Sequence, residues 1–281
     1  MGFKVSIIIV SYNSESFIEK CLLSLRANEV SAAISKNIKI ASSKTPRNDG
    51  MGIEVIVFDN NSTDSTVRIL DKFSDIKLII SNENLGFAKG NNLAVKEANG
   101  EYLFFLNPDT EIDKEVLIEL VEFYERTQDA GIIAPKLIMG DENIQPSVRK
   151  LPTVTGAFKE YILGIKNAYS EYVPDGDNPM EVEMVYGAAM LIKKDLFENL
   201  SGFDEKYFLY YEDADFCKRV GEYGKKIYYY PGVTIRHLVG GTKSDQNKDK
   251  LNYESSIKYH GVIGAFFLQL IFLISRLRRK P

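Results

Sequence analysis

Short apolar runs alternate with helical patterns along the first 110 residues, and this alternation constrains the fold more than any other feature. Four runs rich in β-branched or aromatic residues predict buried strands, at Val5–Val10, Ile53–Phe58, Ile76–Ile80 and Tyr102–Leu106. Between them, apolar residues recur at helical spacing. Strands that alternate with helices predict an α/β fold, with a Rossmann-like, mostly parallel central sheet flanked by helices.

Polar clusters follow three of these strands directly. They are Ser11-Tyr-Asn13, Asp59-Asn-Asn61 and Asn107-Pro-Asp109. In open parallel sheets, ligands bind beyond the carboxyl ends of the strands. We therefore expect a ligand site where these clusters meet.

The regular alternation stops after Asp109. The later pattern predicts helices at 113–127 and 213–223 and strands at 132–134, 183–186, 189–192, 228–230 and 233–236. No repeat or Pro-rich linker divides the chain, so residues 1–245 are interpreted as one domain. Residues 29–52 form a long polar insertion, which we interpret as a solvated excursion, with a substrate lid or a partner contact as alternatives.

The charge is unevenly distributed. The chain has 35 Lys and Arg against 39 Asp and Glu, and four of the basic residues lie among the last six positions. The remainder is therefore acidic, which argues against a nucleic-acid partner, because such surfaces need clustered Lys and Arg.

The basic tip follows an apolar run, Gly261–Ser275, that only Gln269 interrupts. An apolar helix beside basic residues is typical of segments that contact an anionic membrane. We expect residues 246–281 to form a membrane-associating, amphipathic or apolar helical tail, with a helix buried on the domain as the alternative. The N-terminus lacks a signal-peptide pattern. We therefore expect a cytoplasmic protein, peripheral at the inner face of the cell membrane.

Several familiar signatures are absent from the sequence. The glycines at 86 and 90 lack the dinucleotide-binding spacing, and no P-loop or Gly-x-Ser-x-Gly elbow occurs. Asp64 stands where a calcium loop starting at Asp59 would need Gly. The sequence therefore argues against four classes of function: dehydrogenase, P-loop kinase, EF-hand protein and serine hydrolase.

The polar residues that remain suggest a cation site. A carboxylate such as Asp109, at a strand end, suits Mg²⁺ or Mn²⁺ whose other ligands are substrate phosphates. The alternative is a turn aspartate without a ligand. His237, at the end of a predicted strand, is a candidate further ligand, with a purely structural histidine as its alternative.

A second cluster combines acids with aromatic residues between Gly202 and Asp215. Asp213 stands at a predicted helix start, where the helix dipole favours its ionised form, whereas Glu212 and Asp215 disfavour it. A carboxylate balanced in this way can act as a general base. Simple helix capping is the alternative.

Taken in order, seven segments resemble the inverting family 2 glycosyltransferases with the GT-A fold. The segments are Ser6–Asn13, Val57–Asp64, Asn84–Asn92, Phe105–Asp109, Gly202–Glu205, Tyr211–Asp215 and His237. The Asn-Pro-Asp form, together with Gly-Phe-Asp-Glu and Glu-Asp-Ala-Asp, is most similar to the rhamnosyltransferase-like branch.

The resemblance implies a role for each matching position. Asp213, in the Glu212-Asp213 pair, would be the catalytic base. Asp109 would hold a divalent cation, Mn²⁺ or Mg²⁺, with His237 completing its shell. Asn107 replaces the first acid of the family's DXD motif. The expected contacts to the nucleotide-sugar donor are Val10, Tyr12, Asp59, Asn60, Lys89, Asn107 and Asp109.

The implied activity is transfer of a sugar from a nucleotide-sugar donor, a dTDP-sugar such as dTDP-rhamnose or a UDP-sugar. The acceptor would be lipid-linked or a glycan in cell-surface polysaccharide synthesis. Residues 1–110 would bind the nucleotide and residues 111–245 the acceptor. Arg149, in the latter part, is a candidate acceptor or phosphate contact, although a surface position is the favoured interpretation. The alternative function is a catalytically silent nucleotide-sugar-binding or scaffolding protein.

Overall fold

The computed structural model of the chain describes residues 4–26, 52–238 and 248–278. The predicted insertion at 29–52 therefore lies outside the described residues, apart from Gly52. Residues 239–247 and the last three residues, 279–281, also lie outside them.

The amino-terminal part has the predicted alternation of strands and helices. Its elements are β1 (Lys4–Ser11), α1 (described over 18–26), β2 (Gly52–Asp59), α2 (Thr66–Leu70), β3 (Ile76–Ile80), α3 (Gly86–Val95) and β4 (Tyr102–Leu106). The four strands pair in parallel in the order β3-β2-β1-β4. The predicted parallel, doubly wound arrangement is thus confirmed for this part of the sheet.

The rest of the described chain extends the sheet and covers it. Its elements are β5 (Thr110–Glu111), α4 (Lys114–Arg126), β6 (Ala130–Ile138), β7 (Val148–Arg149), α5 (Val154–Tyr161), β8 (Met180–Val182), β9 (Met184–Val185), β10 (Ala189–Lys193), α6 (Lys194–Asn199), α7 (Glu212–Glu222), β11 (Lys226–His237) and α8 (Lys248–Arg278). The sheet continues from β4 through β10, β6 and β11 to β5. Strand β10 is antiparallel to both its neighbours, so the central sheet is mixed.

Two local predictions differ from the structure. The predicted strand at 183–186 is shorter, because β9 spans only Met184–Val185 and pairs with β7 in a separate small sheet, whereas the preceding β8 pairs with β11. The predicted strands at 228–230 and 233–236 are one strand, β11, whose register shifts between Tyr230 and Thr234. At the start of α2, the Asp64 carboxylate accepts the Thr66 N–H at 2.9 Å.

Both faces of the sheet are buried, which explains the continuous apolar runs. Successive side chains of a strand point to opposite faces. Ile7 and Phe104 therefore pack with α4 on one face, whereas Ile8, Leu103 and Phe105 pack with α3, α6 and α7 on the other.

The tail helix α8 packs along α5. It is broken at Gly261, which has a φ of 72°, and beyond the break Leu268 and Ile271 bury themselves against Ala157 and Tyr169. By length and hydropathy α8 meets the requirements of a membrane span, although 17% of its most apolar window is buried in the protein. Its outward face is apolar and exposed at Val262, Ile263, Phe266, Phe267, Leu270, Leu273 and Leu277.

The start of α3 is held tightly against the loop before α7. The Asn60 side chain accepts from the Leu85 N–H at 2.6 Å and donates to the Gly86 carbonyl at 3.0 Å. The Phe87 N–H donates to the Phe208 carbonyl at 2.8 Å. Gly86 has a φ of +81°, and a Cβ there would lie 2.2 Å from the Phe208 oxygen. This junction therefore requires glycine.

We predict that Gly86→Ala lowers the free energy of unfolding by about 2–4 kcal/mol, because left-handed strain and overpacking act together. The measurement is urea denaturation followed by circular dichroism. Gly164→Ala is the matched control, since Gly164 also has a positive φ but nothing within 4 Å of its Cβ position. That variant is expected to lose about 1 kcal/mol. Equal losses in the two variants would show that the contact with Phe208 contributes nothing.

Candidate active site

A cavity of about 700 Å³ lies beyond the carboxyl ends of β1, β2 and β4 and reaches the start of α7. This is the location that the parallel part of the sheet predicts. Eight of the residues singled out in the sequence line it: Val10, Tyr12, Asn60, Asn107, Asp109, Glu212, Asp213 and His237. The fold thus brings together polar residues that are up to 227 positions apart, from Val10 to His237.

Asp59 and Lys89 do not line this cavity. Asp59 is fully buried, and its carboxylate accepts from the Ser11 hydroxyl at 3.0 Å and from the Ser62 N–H and hydroxyl at 2.9 and 2.6 Å. It ties the end of β1 to the loop after β2. Lys89 lies half-buried on α3. A direct donor contact by either residue stays a prediction.

Asp109 and His237 form a pair on the cavity wall. His237 Nε2 lies 3.1 Å from Asp109 Oδ1, and both side chains are largely buried. The pairing of β5 with β11 sets this geometry, because His237 is in register with Thr110 and the Leu238 N–H donates to the Asp109 carbonyl at 2.8 Å.

The pair fits a divalent cation. His237 Nδ1 lies 2.8 Å from the side-chain amide oxygen of Gln145, Oε1. In the tautomer whose Nδ1–H donates to this oxygen, Nε2 carries a lone pair on the side of the Asp109 carboxylate. Two such donors match Mg²⁺ or Mn²⁺ bound with substrate phosphates and water. Within the described ranges, no group of three or more His, Cys, Asp or Glu is placed to hold a metal. A cation here would therefore depend on oxygens from the ligand.

Glu212 and Asp213 are the first two residues of α7, and they line a second part of the cavity wall. The two residues before them, Tyr210 and Tyr211, both have a φ of 69°. This left-handed conformation costs about 1–2 kcal/mol per non-glycine residue. Such strain is typical of functional sites, and here it turns the chain so that the two acids enter the cavity.

Burial perturbs both carboxyl groups. It raises the pKa of Asp213 to about 6, although the Ala214 N–H, at 2.8 Å from Oδ1, opposes the rise. Burial and the neighbouring Asp213 raise the pKa of Glu212 well above its usual value. A carboxylate with a pKa near 6 can accept a proton at neutral pH.

The surface position favoured for Arg149 from the sequence is wrong: its guanidinium lies 4.7 Å from the centre of the Tyr169 ring, and Arg149 lines the cavity. Sequence reasoning missed Tyr169, Tyr186 and Phe272, which line the same side of the cavity. The pairing of β7 with β9 places Arg149 beside Met184. A strand of two residues is too short to show a periodic pattern, so the sequence carries no signal for this placement.

Comparison with known proteins agrees with this geometry. The family model described as Glycosyl transferase family 2 matches residues 6–200. The chain is 30% identical over 214 residues to the low-salt glycan biosynthesis hexosyltransferase Agl10 of Haloferax volcanii, covering 74% of this chain and 64% of that protein. It is 25% identical over 203 residues to the N-acetylglucosaminyl-diphospho-decaprenol L-rhamnosyltransferase of Mycobacterium tuberculosis, covering 66% of each. The chain thus spans slightly less than two thirds of these relatives.

Solved structures share the fold. The crystal structure of GalNAc-T7 with UDP, GalNAc and Mn²⁺ has a TM-score of 0.65 and 14% sequence identity, covering 92% of this chain and 52% of that one. The match confirms the predicted GT-A-like architecture. Because the family model covers more than half of the sequence, the chain belongs to glycosyl transferase family 2.

Proposed function

We propose that the protein is an inverting glycosyltransferase that moves a sugar from a nucleotide-sugar donor to an acceptor hydroxyl. The observation that carries this proposal is the single cavity that contains both the Glu212–Asp213 pair and the Asp109–His237 pair. The first pair offers a proton acceptor and the second suits a cation–diphosphate complex.

The proposed reaction is a single displacement. Asp213 accepts the proton of the acceptor hydroxyl while the hydroxyl oxygen attacks the anomeric carbon of the donor sugar. The bond from that carbon to the diphosphate breaks on the opposite face, so the configuration inverts. Glu212 lies directly beside Asp213, and burial of the two neighbouring carboxyl groups raises the pKa of both.

The donor would lie along the strand ends. Val10, Tyr12 and Asn60 line the part of the cavity formed by β1 and β2, where a base and ribose fit. Asp109 and His237 would hold Mn²⁺ or Mg²⁺, which when bound supplies positive charge to the departing diphosphate. The UDP and Mn²⁺ in the GalNAc-T7 structure support a diphosphate and a cation on this fold.

The acceptor would be a lipid-linked saccharide at a membrane. The name of the mycobacterial relative specifies a diphospho-decaprenol acceptor. In this chain the outward face of α8, defined by the seven exposed residues from Val262 to Leu277, is apolar, and α5, which packs against α8, is followed by the exposed apolar residues Leu163 and Ile165. An exposed apolar surface of this extent is typical of a membrane contact. This supports a peripheral location at the cytoplasmic face of the membrane.

Asp213→Asn should reduce transfer by at least about 100-fold, because the amide cannot accept the proton. The expected result includes unchanged affinity for UDP or dTDP, measured by calorimetry. In the unmodified protein, kcat/KM should fall below pH 6, because the pKa of Asp213, raised to about 6 by burial, sets the fraction of ionised base.

Glu222→Gln is the control for Asp213→Asn. It removes one negative charge from the exposed end of the same helix and should leave both transfer and its pH profile unchanged. Undiminished transfer by Asp213→Asn would refute the base assignment. Retained nucleotide binding without transfer in the unmodified protein, for every UDP- and dTDP-sugar tested, would favour a catalytically silent protein.

Chelation by EDTA should abolish transfer, and Mn²⁺ or Mg²⁺ should restore it. Asp109→Asn should weaken Mn²⁺-dependent UDP or dTDP binding by at least about 10-fold, since it removes the carboxylate ligand. Asp141→Asn is the control, because Asp141 is an exposed carboxylate that bonds only within its own turn to Asn143. Full activity in EDTA would contradict the metal assignment.

Replacing both Phe266 and Phe267 with Ser should weaken binding to vesicles of anionic phospholipid by at least about 10-fold, because each exposed ring would lose its burial in lipid. Vesicle co-sedimentation measures the effect. The control replaces Ile80 and Tyr223, which are similarly exposed but lie on other elements. Equal vesicle binding by the two double variants would exclude this face as the membrane contact.

A further inference from the structure

Within the described ranges, the buried side-chain polar atoms without hydrogen-bond partners are Arg149 Nε and Nη2, Glu212 Oε2, Arg219 Nη2 and His260 Nε2. All but Arg219 Nη2 lie in or beside one end of the cavity. Arg149 and Glu212 line the cavity, and the His260 ring packs against that of Tyr211 beside them. Such atoms are rare in native proteins because each costs free energy. Their concentration here indicates that a polar ligand completes the site.

The surroundings of the Arg149 guanidinium indicate the chemical class of that ligand. The Tyr169 ring covers the guanidinium, and Nη1 lies 3.4 Å from the Tyr186 hydroxyl. Nε and Nη2, which form the side-on edge of the guanidinium, have no partner among the described residues. That edge carries two parallel N–H groups, the geometry that binds two oxygens of a phosphate or carboxylate.

An apolar path leads from Arg149 to the surface. The Tyr169 ring packs against Phe272 of α8, with 5.8 Å between their centres, and Phe272 also contacts Tyr161 of α5. Beyond Phe272 lies the exposed apolar face of α8. A ligand with its anionic group at Arg149 can therefore extend a long apolar chain along these rings toward the membrane.

We propose that Arg149 binds a phosphate of the acceptor, and that the acceptor is a saccharide joined through that phosphate to a long isoprenoid chain. This assignment rests on the proposed function, since it takes the cavity to hold donor and acceptor together. It places the sugar at Asp213, the phosphate at Arg149 and the chain along Tyr169 and Phe272.

The position of Arg149 favours the acceptor over the donor diphosphate. Burial raises the pKa of Asp213, and the nearby Arg149 charge opposes that rise, so Arg149 acts on the proposed base. The cation pair is built instead from β5, β11 and Gln145. In this assignment the site at Asp109 and His237 binds the leaving diphosphate through the cation, and a second anion-binding site, at Arg149, binds the acceptor phosphate.

The experiment measures binding of farnesyl diphosphate to the full chain while UDP or dTDP and Mn²⁺ saturate the donor site. Farnesol, which lacks the phosphates, is measured in parallel. Arg149→Gln should weaken farnesyl diphosphate binding by at least about 10-fold, because the bidentate contact is lost. Farnesol binding and nucleotide affinity should each stay within about twofold.

Lys150→Gln is the matched control, since it removes the same charge from the exposed neighbouring residue; its affinities should equal those of the unmodified protein. Arg149→Lys keeps the positive charge but loses the two parallel N–H groups, so it should bind farnesyl diphosphate at least about threefold more weakly. Should Arg149→Gln fail to fold, unchanged binding by Arg149→Lys overturns the proposal.

Two further outcomes would overturn it. Loss of nucleotide affinity in Arg149→Gln would assign the residue to the donor, and equal weakening of farnesol and farnesyl diphosphate would make its role structural. Failure of the proposed function is separate: it would appear as absence of sugar transfer by the unmodified protein, whether or not farnesyl diphosphate binds through Arg149.

Discussion

The parallel pairing of β1 between β2 and β4 is the constraint on which the rest of the structure depends. The register sets Ser11 opposite Asp59 and Ile8 opposite Phe105, so the loops that follow the three strands emerge at one edge. A one-residue slip would turn every side chain to the other face of the sheet. Asp59 reinforces the register through its bonds to Ser11 and Ser62. The part of the cavity that we assign to the donor is therefore stabilised by a buried carboxylate that does not itself line the cavity.

The sequence predicts this part of the molecule well because local and global signals agree there. Runs such as Val5–Val10 can only be buried strands, and the rule for strand ends then locates Asn60, Asn107 and Asp109 without knowledge of the three-dimensional contacts. The family resemblance added roles for Asp213 and His237. The pairing of the neighbouring strands β5 and β11, at one edge of the sheet, places His237 opposite Thr110 although 127 positions separate them in sequence.

The later part of the cavity is less predictable for a physical reason. Its elements are short: β7 and β9 have two residues each, and α5 has eight. Elements of this length show little periodicity, and tertiary contacts decide their structure. Arg149 and Tyr169 therefore reach the cavity through long-range packing against β9 and α8. We assign acceptor binding to this region, which explains why the sequence indicates the proposed reaction more clearly than the proposed acceptor.

The cavity contains several features that lower the stability of the protein without a ligand. Two consecutive left-handed tyrosines, a pair of buried carboxyl groups and a guanidinium edge without a partner each lower stability. The large apolar core on both faces of the sheet offsets these costs. A hydroxyl beside the carboxyl groups and an anion at the guanidinium edge would offset part of these costs. The strained turn is a cost of directing the two acids into the cavity. A scaffold that only bound nucleotide would need the strand-end residues but not the strained turn before Glu212 or the acids that it directs into the cavity. The distribution of strain therefore favours turnover over silent binding.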